Sequence, residues 1–214
     1  MRYGLIGWPL GHSISPQLHR RLAGVEYELR PLPEAEFEAF MAARDFAAVN
    51  VTIPYKRRVL PYCAQLTPAA RRCGSVNLLI KGRDGTLTGD NTDLAGLEFL
   101  LRQNGWVLTG QTVVILGSGG TGHTAKAAAE ELGAAEIATV SRTGELNYEN
   151  LAERFGKMDF YLINTTPVGM APQSGVSPLD LRQFPRCKGM ADVIYNPLRT
   201  RLCQQAAELG IPAC

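Results

Sequence analysis

Short apolar runs rich in β-branched residues alternate with stretches of helical periodicity almost from end to end of the chain. RYGLIG predicts a strand and SPQLHRRL a helix; VEYELRP predicts a strand and EAEFEAFMAARD a helix with Phe37, Phe40, Met41 and Arg44 at helical spacing. FAAVNVTI is the next expected strand, and PYKRRVLPYCA is expected to open a helix at Pro54 that breaks at Pro61. TPAARRCG has a threonine cap, proline at the first helical position and a glycine stop. SVNLLI and TLTG predict a hairpin around Asp84-Gly85. The pattern restarts after GDNTD: DLAGLEFLLRQNG predicts a helix, TVVIL a buried strand, TGHTAKAAAEELG a helix and AEIATV a strand. FYLINTT and GMADVIY predict two more strands, and TRLCQQAAELG a last helix. Alternation of this kind predicts an α/β fold of parallel sheets covered by helices, in two α/β units at 1–93 and 94–214.

Composition narrows the partners. At 45% hydrophobic, 20% charged and a formal net charge of +2, the chain lacks the basic excess of a nucleic-acid binder. No apolar run reaches membrane-spanning length, and no signal-peptide core opens the chain. Five cysteines, with no CxxC pair and no histidine at zinc spacing, predict reduced thiols in the cytoplasm, with neither disulfide framework nor metal site. His12, His19 and His123 are scattered, and read as structural or incidental.

The second half carries the more explicit motif. ILGSGGTGH sets Gly117, Gly119 and Gly122 in a G-x-G-x-x-G frame that follows a strand and opens a helix, with Ser118, Gly120 and Thr121 in the same loop. Side chains at those glycines would hold a pyrophosphate away from the helix N-terminus, so a bound dinucleotide is expected. The end of the next strand selects the cofactor. An NAD site places Asp or Glu there, whereas this chain has Ser141, Arg142 and Thr143, an arginine and two hydroxyls suited to a 2′-phosphate. NADP is therefore expected. Thr165, Thr166 and Pro167 follow a strand of the same unit and are candidate cofactor contacts.

In the first half, LGHSISPQLH follows the first strand. Ser15-Pro16 reads as a helix start with Ser15 as cap, which leaves Ser13 without a structural task. NVTIPYK, SVNLL and GDNTD carry polar residues where strands are expected to end, the side on which open α/β sheets bind ligands. Ser13, Ser15, Thr52, Lys56, Asn77 and Asp93 together offer hydroxyls, an amide, a cation and an anion, a set suited to a small polyhydroxylated acid. Blander readings exist for several polar residues here. Lys56 would be a surface lysine at a helix start, Asp93 a carboxylate favoured in a first helical turn, Asn77 an amide satisfied between strands, and Asp90 a turn residue.

HSISP, NVTIPYK, VN, GDNTD, GSGG, SRT, NTTPVGM and DVIYNP occur in the order seen in the shikimate dehydrogenase family, which the chain resembles from its first strand to its last residue. The resemblance implies NADP-linked reduction of 3-dehydroshikimate to shikimate in aromatic amino-acid biosynthesis, by an N-terminal substrate domain and a Rossmann-type dinucleotide-binding domain. It implies that Ser13 and Ser15 bind the substrate carboxylate with help from Tyr195, that Thr52, Asn77 and Asp93 hold ring hydroxyls, and that Lys56 and Asp93 are the catalytic pair. Val193 joins the cofactor contacts on the same ground, and the assembly expected is a monomer or homodimer. Two departures stand out. Arg20 replaces the asparagine of the family's HSxSPxxHN pattern, and LGIPAC ends the chain where the family continues into a segment reading roughly PMLVxQA, with a substrate-contacting glutamine. Competing readings are a quinate/shikimate dehydrogenase using NAD, against which Arg142 speaks, and a truncated non-catalytic NADP-binding protein.

Overall fold

The computed structural model describes residues 1–10 and 13–214 and divides the chain into two units, Met1–Asp93 and Leu94–Cys214. The first unit contains β1 (Tyr3–Gly7), α1 (Ser15–Ala23), β2 (Glu28–Pro31), α2 (Glu34–Ala43), β3 (Ala48–Val51), β4 (Gln65–Leu66), α3 (Pro68–Cys73), β5 (Leu78–Lys81) and β6 (Leu87–Asp90). Its strands lie in the order β2-β1-β3-β5-β6-β4. This sheet is mixed: β5 and β6 form the expected antiparallel hairpin, and β5 also runs antiparallel to β3, which corrects the expectation of a parallel sheet. The hairpin has a local cause: Gly85 at φ 81° and Asp84 Oδ1, accepting from the Thr86 N–H at 3.1 Å, close a tight turn between β5 and β6. Phe37 and Met41 of α2 are buried with Ile6, Val49, Val51, Tyr55 and Leu79.

The segment from Pro54 to Pro61 is not the expected helix. It is a series of turns ending in a 3-10 turn at Leu60–Tyr62, with Tyr55 N–H donating to Thr52 O and Leu60 N–H to Arg57 O. Two prolines seven residues apart leave too few main-chain donors for a stable helix between them. Lys56 therefore sits in a turn, and the reading of it as a helix-start lysine falls.

Residues of the second unit form α4 (Asp93–Gln103, whose first residue closes the first unit), β7 (Thr112–Leu116), α5 (Gly120–Glu131), β8 (Glu136–Val140), α6 (Leu151–Phe155), β9 (Phe160–Asn164), β10 (Cys187–Asp192) and α7 (Arg201–Glu208). The order β10-β9-β7-β8 is parallel throughout. From β7 the chain passes first to β8 on one side and then to β9 on the other, so the strand order reverses at the carboxyl end of β7. Ala125, Ala127, Ala128 and Ala129 let α5 lie close to this sheet, while Val114, Leu116, Val140, Leu162 and Met190 fill its core. Among the described residues, no helix is long and apolar enough to cross a membrane, and no group of three or more His, Cys, Asp or Glu could hold a metal ion.

Candidate active site

Because β5 runs against β3, the residues entering β5 lie at the same end of the sheet as those leaving β3 and β6. Leu78 pairs with both Asn50 and Asp90. SVNLL thus contributes from a strand's start, not its end, and Asn77 reaches the site for that reason. Its amide is engaged from both sides by Thr92: Asn77 Oδ1 accepts from the Thr92 N–H at 2.9 Å, and Asn77 Nδ2 donates to Thr92 Oγ1 at 3.0 Å. Buried Asn91 donates to Ser75 O and Ser75 Oγ, both at 3.0 Å, and its own Oδ1 accepts from the Asp93 N–H at 3.1 Å. Asp90, read as a turn residue, instead ends β6 and accepts from the Thr67 hydroxyl that caps α3. These bonds fix the backbone that presents Asp93.

Lys56 comes to Asp93 from the turn after β3. The Val76 N–H donates to Lys56 O at 2.7 Å, which anchors its backbone, and Lys56 Nζ donates to Asp93 Oδ2 at 2.6 Å. The lysine side chain is 13% exposed and the aspartate 38%, so one atom pair joins a largely enclosed cation to a carboxylate open to solvent. Thr52 stands close by in sequence, its methyl against Gly7, where a Cβ would come within 2.4 Å of it. Its half-buried hydroxyl makes no hydrogen bond among the described residues.

At α1 the cap assignment is reversed. The helix begins at Ser15 with Ile14 as its cap residue and no side-chain cap bond; Ser13 Oγ accepts from the Ser15 N–H at 3.1 Å and donates to Ser15 Oγ at 2.9 Å. Ser13 thus has the structural task assigned to Ser15. Tyr27 completes this group. It hydrogen-bonds with Ser15, donates to Asn50 Oδ1 at 2.7 Å and stacks on His19 at 4.0 Å, and burial pushes its phenol up to about 12. Asn50 Nδ2 in turn donates to Asn77 O at 3.2 Å, so a chain of polar groups links Ser13 to Asn77. His19 is structural, holding Ser15 O at 2.8 Å through Nδ1; His12 lies outside the described residues.

In the second unit the three motif glycines have different causes. Gly117 has φ +105°, and a Cβ there would lie 2.8 Å from Thr165 Oγ1. At Gly122 a Cβ would lie 2.2 Å from Gly117 O. Gly119, the cap residue of α5, is extended at φ −80° and ψ −172°, and a Cβ there would meet no atom of the protein. Neither backbone nor packing demands glycine at 119, and the space it leaves lies before a helix N-terminus at the strand-order reversal, so the loop fits a dinucleotide pyrophosphate. Arg142 and Thr143 are exposed after β8, and among the described residues Arg142 makes no ion pair. Tyr148, raised by burial, lies within the electrostatic reach of Arg142. The hydroxyls of Thr165 and Thr166 are turned inward, donating to Leu116 O and Asn164 Oδ1, both at 2.7 Å. The Val193 N–H donates to Asn164 O at 3.2 Å, and Tyr195 belongs to this unit with 54% of its surface exposed.

Residues 5–79 match the shikimate dehydrogenase substrate binding domain. The chain is 35% identical over 233 residues to the shikimate dehydrogenase (NADP(+)) of Paramagnetospirillum magneticum, covering 98% of itself and 84% of that relative. This chain belongs to the shikimate dehydrogenase family. Among solved members, shikimate dehydrogenase 1 of Peptoclostridium difficile superposes with a TM-score of 0.91 at 30% identity, over 100% of this chain and 85% of that one. The Thermus thermophilus shikimate 5-dehydrogenase, solved in complex with NADP(H) and shikimate, superposes with a TM-score of 0.80 at 31% identity, over 100% and 86%.

Several residues of the hydrogen-bond networks behind the candidate site escaped sequence reasoning. Asn50, Asn91, Thr92, Asn164 and Asp192 all stand inside the quoted motifs, and polar residues within otherwise apolar strand ends were the available signal. Tyr27 had none, since an aromatic in VEYELRP reads as an ordinary strand residue.

Proposed function

We propose that this chain catalyses the reversible NADPH-dependent reduction of 3-dehydroshikimate to shikimate, a step of aromatic amino-acid biosynthesis, with residues 1–93 as substrate domain and 94–214 as NADP-binding domain. The observation that carries the reading is the contact between the enclosed Lys56 ammonium and the Asp93 carboxylate at 2.6 Å, at the sheet end that also holds Thr52 and Asn77. NADPH, when bound, supplies the hydride. Negative charge then develops on the substrate's ketone oxygen, and the Lys56 ammonium stabilises that charge and donates the proton that completes the alcohol. In the reverse direction the neutral amine accepts the hydroxyl proton. Asp93 orients the Lys56 side chain and, with Thr52 and Asn77, holds ring hydroxyls. Ser13 and Ser15, kept in place by Tyr27, bind the carboxylate, and Tyr195 of the second unit is a candidate substrate contact.

On the cofactor side, Gly117, Ser118, Gly119, Gly120 and Thr121 form the pyrophosphate loop. Ser141, Arg142 and Thr143 receive the 2′-phosphate, and Thr165, Thr166, Pro167 and Val193 are further cofactor contacts. Five free thiols suit a reducing compartment, and we place the chain in the cytoplasm. The test is NADPH formation by the purified chain with shikimate and NADP⁺, with quinate and NAD⁺ run in parallel. Turnover is expected with shikimate and NADP⁺. A folded chain that binds NADPH without turnover would instead support a non-catalytic binding protein.

A further inference from the structure

We infer that Asp192 is a positioning residue for the cofactor loop, acting through Asn164 and Thr166 to hold the backbone beside Gly117. Asp192 ends β10 and is 8% exposed, Asn164 ends β9 and is fully buried, and Thr200 caps α7 at 1% exposure. Together they form a closed polar network inside an apolar sheet. Asp192 Oδ1 accepts from Asn164 Nδ2 at 3.0 Å and from the Ile194 N–H at 3.1 Å, and Oδ2 accepts from the Thr200 hydroxyl at 2.7 Å. The same Thr200 oxygen accepts from the Cys203 N–H at 3.2 Å.

The direction of these bonds carries the argument. A carboxylate accepts only, so the Asn164 amide must present its NH2 to Asp192, which turns its carbonyl toward Thr166. That carbonyl accepts from the Thr166 N–H at 3.1 Å and from the Thr166 hydroxyl at 2.7 Å. Thr166 Cγ2 then faces Gly117, 3.2 Å from where a Cβ on that glycine would stand. With an amide at 192, three donors face a side chain that is itself half donor. One of them loses its partner, or the Asn164 amide turns over and sets NH2 against the Thr166 N–H. Burial raises the Asp192 carboxyl above its usual range, and its three donors oppose that shift.

The inference rests on reading the second unit as the NADP site, and one titration separates the two. Wild-type chain and Asp192→Asn are titrated with NADPH by fluorescence, with circular dichroism confirming the fold. Wild type is expected to bind, and Asp192→Asn to bind about tenfold more weakly, the size of one lost hydrogen bond, with the KM for shikimate unchanged at saturating NADP⁺. No binding by wild type removes the underlying NADP reading; binding by wild type with equal affinity in Asp192→Asn overturns the positioning role alone. A double-mutant cycle distinguishes positioning from general stability: in a Thr166→Val background Asp192→Asn should add little further loss, and multiplicative losses overturn the inference. If Asp192→Asn does not fold, Thr200→Ala reads the same link from its far end. Weaker NADPH binding restored by Thr200→Ser supports the inference, and unchanged binding in Thr200→Ala overturns it.

Discussion

Lys56 combines two properties that a stabilising surface lysine lacks: 13% side-chain exposure and the Asp93 carboxylate at 2.6 Å from its ammonium. An ion pair whose aspartate is 38% exposed is screened by solvent and contributes about 1 kcal/mol or less to stability. Removing Lys56 should therefore leave the fold standing and strike the reaction. Lys56→Ala is expected to lower kcat by about a hundredfold to ten-thousandfold, the range for loss of a positioned acid–base group, while the KM for shikimate moves little. Steady-state kinetics on the purified variant checks this, and near-normal kcat would return Lys56 to the role of a surface cation.

The strand–loop–helix element β7–α5 shows what one glycine frame can conceal. Gly122→Ala places a Cβ 2.2 Å from Gly117 O, so it should lower the melting temperature and cofactor affinity together. Gly119→Val meets no protein atom at its Cβ and has a permitted backbone, so the fold should lose only the helix-cap preference, about 1 kcal/mol, while NADPH binding is lost. Melting curves beside NADPH titrations read both, and tight binding by Gly119→Val would show that no ligand uses that space. Sequence periodicity carried most elements of this kind, because long apolar runs such as TVVIL and cap-bearing segments such as TPAARRCG state their own type. It failed where geometry is decided elsewhere. The Pro54–Pro61 turns look helical in pattern, the five-residue α6 is too short for a period, and the two-residue β4 exists only through pairing with β6. The catalytic candidates were legible as polar residues at strand ends. Their supporting shell was not, since whether Asn77 binds Thr92 or Asp192 binds Asn164 depends on which strands lie side by side.

Across the whole molecule, both units hold acidic groups whose neutral forms the fold prefers. Burial pushes the thiols of Cys63 in the first unit and of Cys187 and Cys214 in the second up to about 11, from an ordinary value of 9.0. For Cys214 the neighbouring Cys203 adds to the rise. Burial likewise raises Tyr27 to about 12. For such groups the folded chain binds more protons than the unfolded chain at alkaline pH. Their contribution is complete below the unfolded value and is lost as pH climbs through the folded one. Stability should therefore hold from about pH 7 to pH 8.5 and fall between about pH 9 and pH 11. Since the groups lie in both units, each should weaken over the same window. Thermal melts at stepped pH measure the decline, and a variant with Cys63, Cys187 and Cys214 all replaced by alanine provides the control. Lost packing will lower its melting temperature at every pH, but its alkaline slope should be shallower than wild type's, because three of the linked protons are gone. An equally steep slope would mean that the thiols are not what titrates, and that the alkaline sensitivity resides in the tyrosines.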